Sequence, residues 1–301
     1  MKKIKSSILA LSVGTAMGMM VATQAQAGVL GSAILDVSNF FIVNSAGNVP
    51  TGITVLEDNR NGEISIGLNG VNAGNTGNAS NSADLNLAPV LLGTNPGIGD
   101  NSATILPDGT GTFSRSDLNV SGTIFGEGGQ GFVRSDAYAL TGGNQGNANA
   151  TIANNVLAQY VINVDADTMA AFTLDASGYL KAFVSDDLFG TGSSANASIS
   201  FSIDVFRAGE SEAFFTWAPT QINRGVTANG VVGFNDVGGS FSYDELTSPF
   251  ANLTAGSYNV TIQQKSTARE VANNQIPEPG IIALLSLGLL GMGASVRRRI
   301  K

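Results

Sequence analysis

The chain has 301 residues, a formal net charge of −8, and neither cysteine nor histidine. Without those residue types there is no disulfide, thiolate nucleophile, cysteine zinc site or imidazole base. Ser-His-Asp and Cys-His catalysis are therefore excluded, and acid–base chemistry is left to carboxylates.

Met1-Lys2-Lys3-Ile4-Lys5 is a basic start, Ile8 to Ala22 is apolar and softened by Gly14 and Gly18, and Ala25-Gln26-Ala27 is a small-x-small cleavage site. Together they predict a signal helix over 1–27, cut after Ala27, and hence export. An exported chain could carry disulfides; this one has to be held by its core alone, and about 250 residues suffice for that. Seven of the 15 cationic side chains and one of the 23 acids lie in the terminal segments, which leaves eight against 22 in residues 28–276, a net −14. A body that acidic is unsuited to a phosphate backbone, so no nucleic-acid partner is expected. It suits a solvated surface or one that collects cations.

Through the body, residues 28–275, the pattern is β. Ile34 to Val43 alternates as a strand, and the runs Gly52 to Leu56 and Glu63 to Leu68 flank Asp58-Asn59-Arg60-Asn61-Gly62. Asn-Gly between two short apolar runs predicts a hairpin turn there. A calcium loop over the same residues fails, because Leu68 stands at the twelfth position, where an EF-hand needs a bidentate acid. Val71 to Ser82 is almost wholly Asn, Gly, Ala and Ser and reads as a long surface loop; Gly142 to Asn149 is a second such tract. Two related segments, Arg115-Ser116-Asp117 and Arg134-Ser135-Asp136, stand 19 residues apart and predict neighbouring strands. Their glycine-rich link, Gly126 to Gly131, formally matches a dinucleotide fingerprint. Because Phe132-Val133-Arg134-Ser135 continues as a strand and not a helix, it reads as a hairpin loop.

Beyond Ala150 the predicted strands are Val156 to Val164, Ala170 to Leu174, Tyr179 to Val184, Ala197 to Phe206, Ala213 to Trp217, Val231 to Phe234, Gly239 to Tyr243 and Leu253 to Ile262. Asn154 to Tyr160 fits a short helix as well as a strand. Ile199 to Val205 alternates with period two and one apolar face. Short strands at this spacing predict a single all-β domain, a sandwich or jelly roll. Four acids are weak candidates for a calcium site: Asp165 with Asp167, and Asp186 with Asp187; Asp244-Glu245 is a further adjacent pair. No residue is singled out as catalytic. One tryptophan, Trp217, and five tyrosines make a poor sugar platform, and Trp217 is expected in the core or at a strand end.

The chain ends in Pro277-Glu278-Pro279-Gly280, the uncharged run Ile281 to Val296, and Arg297-Arg298-Arg299. This sixteen-residue uncharged run, lengthened by a helix start at Pro279, makes a marginal transmembrane helix, and the arginines act as a cytoplasmic stop. Pro-Glu-Pro, a short apolar helix and a terminal arginine cluster, in that order, resemble the PEP-CTERM sorting signal of Gram-negative bacteria. The resemblance implies a sorting segment over 276–301, recognised in the inner membrane by an exosortase. Cleavage would fall near Pro277, Glu278 and Pro279, and delivery would be to the cell surface or extracellular matrix. The ending Ala-Gly-Ser-Tyr-Asn-Val-Thr-Ile is similar to the last sandwich strand common in such proteins. The leading expectation is a non-enzymatic surface or matrix protein displayed among exopolysaccharide, with no cofactor. The alternatives are a calcium-assisted carbohydrate-binding sandwich and a carboxylate glycan hydrolase.

Overall fold

The computed structural model describes residues 27–273 except 82, 108–109, 126–127, 142–145, 153–155, 186–187, 189–191 and 231–234. Residues 1–26 of the signal helix expected over 1–27, the apolar helix expected within 276–301 and the strand expected over 231–234 therefore lie outside the described residues. Among the described residues the fold is built from strands, and no helix is long and apolar enough to cross a membrane. In chain order the strands are β1 (Ala27–Val43), β2 (Ile53–Leu68), β3 (Val71–Ser80), β4 (Leu85–Gly93), β5 (Phe113–Ser121), β6 (Gly129–Thr141), β7 (Gly146–Ile152), β8 (Val156–Val164), β9 (Thr168–Val184), β10 (Ser194–Arg207), β11 (Phe215–Trp217), β12 (Arg224–Asn229), β13 (Asn235–Thr247), β14 (Ala251–Leu253) and β15 (Gly256–Ala272). The segment that fits helix or strand equally is thus β8, and the Ala-Gly-Ser-Tyr ending opens β15.

All pairings are antiparallel and form two sheets. The first runs β13-β9-β1-β6-β5-β4, with β14 also on β9. The second runs β11-β10-β15-β7-β2-β3, with β12 on β10, and with β8 sharing the lane of β7 between β15 and β2. Alternation sets the inner faces: Ile199, Phe201, Ile203 and Val205 of β10 are buried, while Ser198, Ser200, Ser202 and Asp204 face outward. One apolar cluster joins the sheets face to face. Its thick part is a chain of rings, with Phe40 packing on Phe172 and Phe201 at 6.1 and 6.0 Å, and Phe201 meeting Trp217 edge-on at 6.3 Å. Trp217 is therefore a core residue.

Toward the start of β1 and the end of β15 the rings give way to Val29, Ala139, Ala182, Ala195, Ala228 and Ala272. The sheets close up here. A Cβ on Gly31 would lie 2.7 Å from the Asn196 carbonyl oxygen and 3.2 Å from the backbone of Arg269, so only glycine fits. β1 therefore starts, and β15 ends, at the same narrow end of the body.

Several sequence expectations are overturned: Ala170 to Leu174 and Tyr179 to Val184 are one strand, β9, and Gly146 to Asn149 of the second glycine- and asparagine-rich tract belong to β7. Asp58 to Gly62 is no turn: β2 runs straight through it, with Asp58 and Arg60 facing inward. Arg60, wholly buried, pairs with Asp58 (3.2 Å) and Asp84 (3.1 Å) and donates to the carbonyls of Val120 and Gly122. Gly62 serves packing, since a Cβ there would meet Leu85, Leu87 and Leu118 within 3.0–3.3 Å. Likewise the tract after Val71 is no loop but β3, joined to β2 by a two-residue turn in which Asn69 (φ 51) and Gly70 (φ 83) are both left-handed, a type I′ hairpin. The apolar surface it lacks comes from β4: a Cβ on Gly77 would be 2.6 Å from Leu87.

The two Arg-Ser-Asp segments do form neighbouring strands. Their register is reciprocal: Arg115 opposes Asp136, Ser116 opposes Ser135, and Asp117 opposes Arg134. The serines face inward, where Ser135 meets Ser266 of β15 at 2.8 Å. The charged residues face outward yet are buried, because the segment between β4 and β5 lies over them. Arg115 pairs with Asp117 and donates to the carbonyls of Ile98 and Gly99. Arg134 pairs with Asp136 and donates to those of Ser102 and Thr104. Burial raises the Asp117 carboxyl, with Arg115 offsetting part of the effect.

Glu270 is the counter-example. It points into the narrow end, is 1% exposed, and neither of its carboxylate oxygens meets a hydrogen-bond partner. Burial pushes its carboxyl up to about 8, the nearby Ala148 N–H offsetting only part of that.

Two stability outcomes follow. Arg134→Ala strands Asp136 and frees the Ser102 and Thr104 carbonyls, and should cost about 3–5 kcal/mol in a guanidinium titration. For Glu270, the folded group titrates above the unfolded value of 4.5, at about 8. Its contribution to stability is full below pH 4.5 and is lost as pH rises through about 8. Glu270→Gln should flatten the fall of stability across that window and leave the protein more stable than wild type at pH 8, as measured by denaturation at several pH values.

Candidate functional site

The outer face of the first sheet is interrupted where two of its irregularities flank the same residue of β9. The register of β1 on β9 shifts between Ser38 and Phe41, and that of β13 on β9 shifts between Tyr243 and Leu246. The extra residues adopt left-handed backbone, Asn39 at φ 48 and Glu245 at φ 53. Asparagine tolerates this conformation, whereas glutamate rarely adopts it, so the geometry is imposed by its surroundings.

Asp175 lies between them. Its Oδ2 accepts from the Asn39 amide at 2.7 Å and its Oδ1 from the Glu245 backbone N–H at 2.8 Å. Those bonds, the Glu245 N–H foremost and the Asn39 amide next, hold the Asp175 carboxyl below the usual aspartate range. Asp175 thus locks both bulges, and bulges of this kind re-aim side chains next to binding sites.

The bulges border an open groove lined by Phe41, Asn44, Thr173, Asp175, Glu245 and Phe250. Phe250 is 44% exposed, unusual for so large a ring. Asn44 holds one rim by accepting from the backbone N–H groups of Ala46 and Asn48 at 2.9 and 3.1 Å. The groove offers carboxylate and amide oxygens, hydroxyls and two phenyl faces within one shallow surface. That set suits a polyhydroxylated ligand. Asp175, kept ionised, is an acceptor and a poor proton donor at neutral pH.

Of the acids singled out from the sequence, Glu245 belongs to this groove, whereas Asp165 and Asp167 do not. Asp165 and Asp167 occupy the short connection into β9. Asp165 accepts from Asn163 at 2.9 Å and Asp167 from the Ala255 N–H at 2.9 Å. Asp186 and Asp187 lie outside the described residues, after Ser185 at the far end of β9. Among the described residues no group of three or more acids could hold a metal ion. Asp175 and Asn39 carry no local signal in the sequence; only the register of β1, β9 and β13 brings them together with Glu245.

Ala27, the expected signal-cleavage position, opens β1, and Pro277, Glu278, Pro279, Arg297, Arg298 and Arg299 lie outside the described residues. A family profile for the PEP-CTERM protein-sorting motif matches residues 275–299. The chain carries a PEP-CTERM sorting motif. The motif marks a protein that is exported, processed by an exosortase and sorted to the cell envelope or surface. It begins three residues beyond the end of β15. Comparisons with curated proteins and with solved structures each returned no match.

Glu245→Gly should relieve the strained backbone while keeping the N–H bond to Asp175, raising stability by about 1 kcal/mol in chemical denaturation. It would also remove one carboxylate from the groove, so gain of stability with loss of ligand binding is the expected signature.

Proposed function

We propose that the mature body is a non-enzymatic surface or matrix protein that holds exopolysaccharide in the groove around Asp175. The observation that carries this reading is the Asp175 lock: two bulges, the one at Glu245 strained, keep a carboxylate, an amide and a second carboxylate beside exposed Phe250. Sugars are recognised by this mixture of hydroxyl-matching acceptors and apolar ring faces. The direction of display agrees. β1 and β15 meet at the narrow end, where the signal and sorting segments leave, whereas the groove lies at the other end of β1, about 45 Å away at strand rise. A body tethered by its sorting segment would present the groove away from the membrane.

Calcium-assisted binding is a second reading, favoured by the paired carboxylates of Asp175 and Glu245 in one groove. Glycan hydrolysis would need a second carboxyl kept protonated near neutral pH, a role that Asp175, shifted the opposite way, does not fill.

The test is partition within a biofilm of the producing cells. Wild-type protein should fractionate with the polysaccharide, and Asp175→Ala combined with Phe250→Ala should move it to the free soluble fraction while cell-surface delivery is unchanged. Partition abolished by a chelator would select the calcium-assisted form. Equal partition of wild type and double variant would reject the groove as the binding site.

A further inference from the structure

Each sheet ends in edges whose backbone groups invite another strand, and three of the four borders are blunted. β4 carries Pro89 and a register break between Leu87 and Val90. β13 is broken between Tyr243 and Leu246 and contains Gly238 and Gly239 in positive φ. The border beyond β10 is made of strands of three and six residues. Prolines, bulges and shortness are the usual protections of an edge, together with charge. β3 has none of them. It is ten residues long, pairs with β2 from Leu68–Val71 to Asn59–Ser80 without a break, and contains neither proline nor a charged side chain. Among the described residues its other side has no strand.

The hairpin fixes which backbone groups are free. Beside a two-residue type I′ turn, Leu68 and Val71 form a hydrogen-bonded pair, and bonding then alternates along the ladder. Ala73, Asn75, Gly77 and Ala79 therefore bond to β2. Asn72, Gly74, Thr76 and Asn78 turn their N–H and C=O groups outward, as Ser80 does its N–H, while the Ser80 carbonyl accepts from the Ala83 N–H at 3.4 Å.

We propose that β3 is a self-association edge, through which two copies of this chain pair antiparallel with Thr76 of each on the two-fold axis. A two-fold axis allows only antiparallel pairing of one edge with itself. Opposed residues must both turn their backbone groups toward the partner or both away, so only even register sums are possible. A centre at Thr76 matches all five outward residues, as Asn72–Ser80, Gly74–Asn78 and Thr76–Thr76; a centre at Asn75 leaves Ser80 beyond the strand. In a self-paired edge every charge meets a like charge, and β3 has no charge to repel. Its side chains are small, with no projecting knob or pocket to select an unrelated strand. The nearest outward acid is Glu63, opposite Thr76 on β2. Two such residues would stand three strand spacings apart, about 14 Å, beyond the screening length of about 8 Å at physiological salt. Association should therefore strengthen as salt rises from low values, because the two bodies are strongly acidic.

The chain has no cysteine, so single introduced cysteines report the contact cleanly. In mature protein purified from the cell surface, sedimentation equilibrium should show a dimer. Thr76→Cys should cross-link to itself under mild oxidation, and Asn72→Cys mixed with Ser80→Cys should cross-link while neither does alone. Ser177→Cys, exposed on the first sheet, is the control for random collision. Thr76→Pro removes an N–H that bonds nothing within the chain, so it should abolish the dimer and leave the melting midpoint unchanged. A monomeric wild type, a Thr76→Pro dimer, or Thr76→Cys cross-linking no faster than Ser177→Cys would each overturn the proposal. Should Thr76→Pro fail to fold, the cysteine pairs decide alone.

Discussion

The reciprocal pairing of Arg115-Ser116-Asp117 with Arg134-Ser135-Asp136 is the constraint on which the first sheet depends. A slip of one residue between β5 and β6 would carry the guanidinium and carboxylate groups into the apolar interior and turn the serines outward, an error costing several buried charges at once. The same four charged residues hold the segment between β4 and β5, because its carbonyls at Ile98, Gly99, Ser102 and Thr104 accept from arginine in place of backbone. Arg60 repeats the device at the border of the sheets, reaching the carbonyls of Val120 and Gly122. In a chain without disulfides, buried arginines do the stapling.

Against this regularity stand the places where the body departs from good packing. Glu270 sits unpaired where the sheets approach most closely, two residues from the end of β15. Asn39 and Glu245 hold left-handed backbone around Asp175. Such departures persist only where the rest of the structure over-determines them, and they concentrate at working parts of proteins. The groove has that character, since its two bulges depend on a single carboxylate and expose an aromatic ring beside it.

The body is polarised along β1 and β15. Small residues close the sheets at the end from which both terminal segments depart, and the rings thicken the core further along. The groove lies at the end remote from the last residue of β15. The exposed edge of β3 faces sideways, so pairing through it and binding in the groove are geometrically independent. A surface protein built in this way can be tethered, associated laterally and bound to ligand without the three competing for one surface.

Much of this was decided locally. The sorting motif is legible because membrane recognition acts on one contiguous stretch, Pro277 to Arg299. The all-β character is equally local, since alternation such as Ile199 to Val205 fixes which face is buried whatever the partner, and the Arg-Ser-Asp repeat announces two adjacent strands. What the residues near in sequence could not decide was where a glycine serves turning and where it serves packing. Asn61-Gly62 looks like a turn, yet Gly62 makes room for Leu85, Leu87 and Leu118 from the opposite sheet, and Gly77 makes room for Leu87. β3 has no apolar payload of its own and becomes a strand because β4 supplies one. Asp175, Asn39 and Glu245 are separated by 136 and 70 residues in the chain, and only the register of three strands makes them one site. Sequence alone determined the address of this protein and the composition of its layers, because those depend on contiguous segments; the pairing of distant strands, which depends on tertiary packing, decided the groove and the free edge.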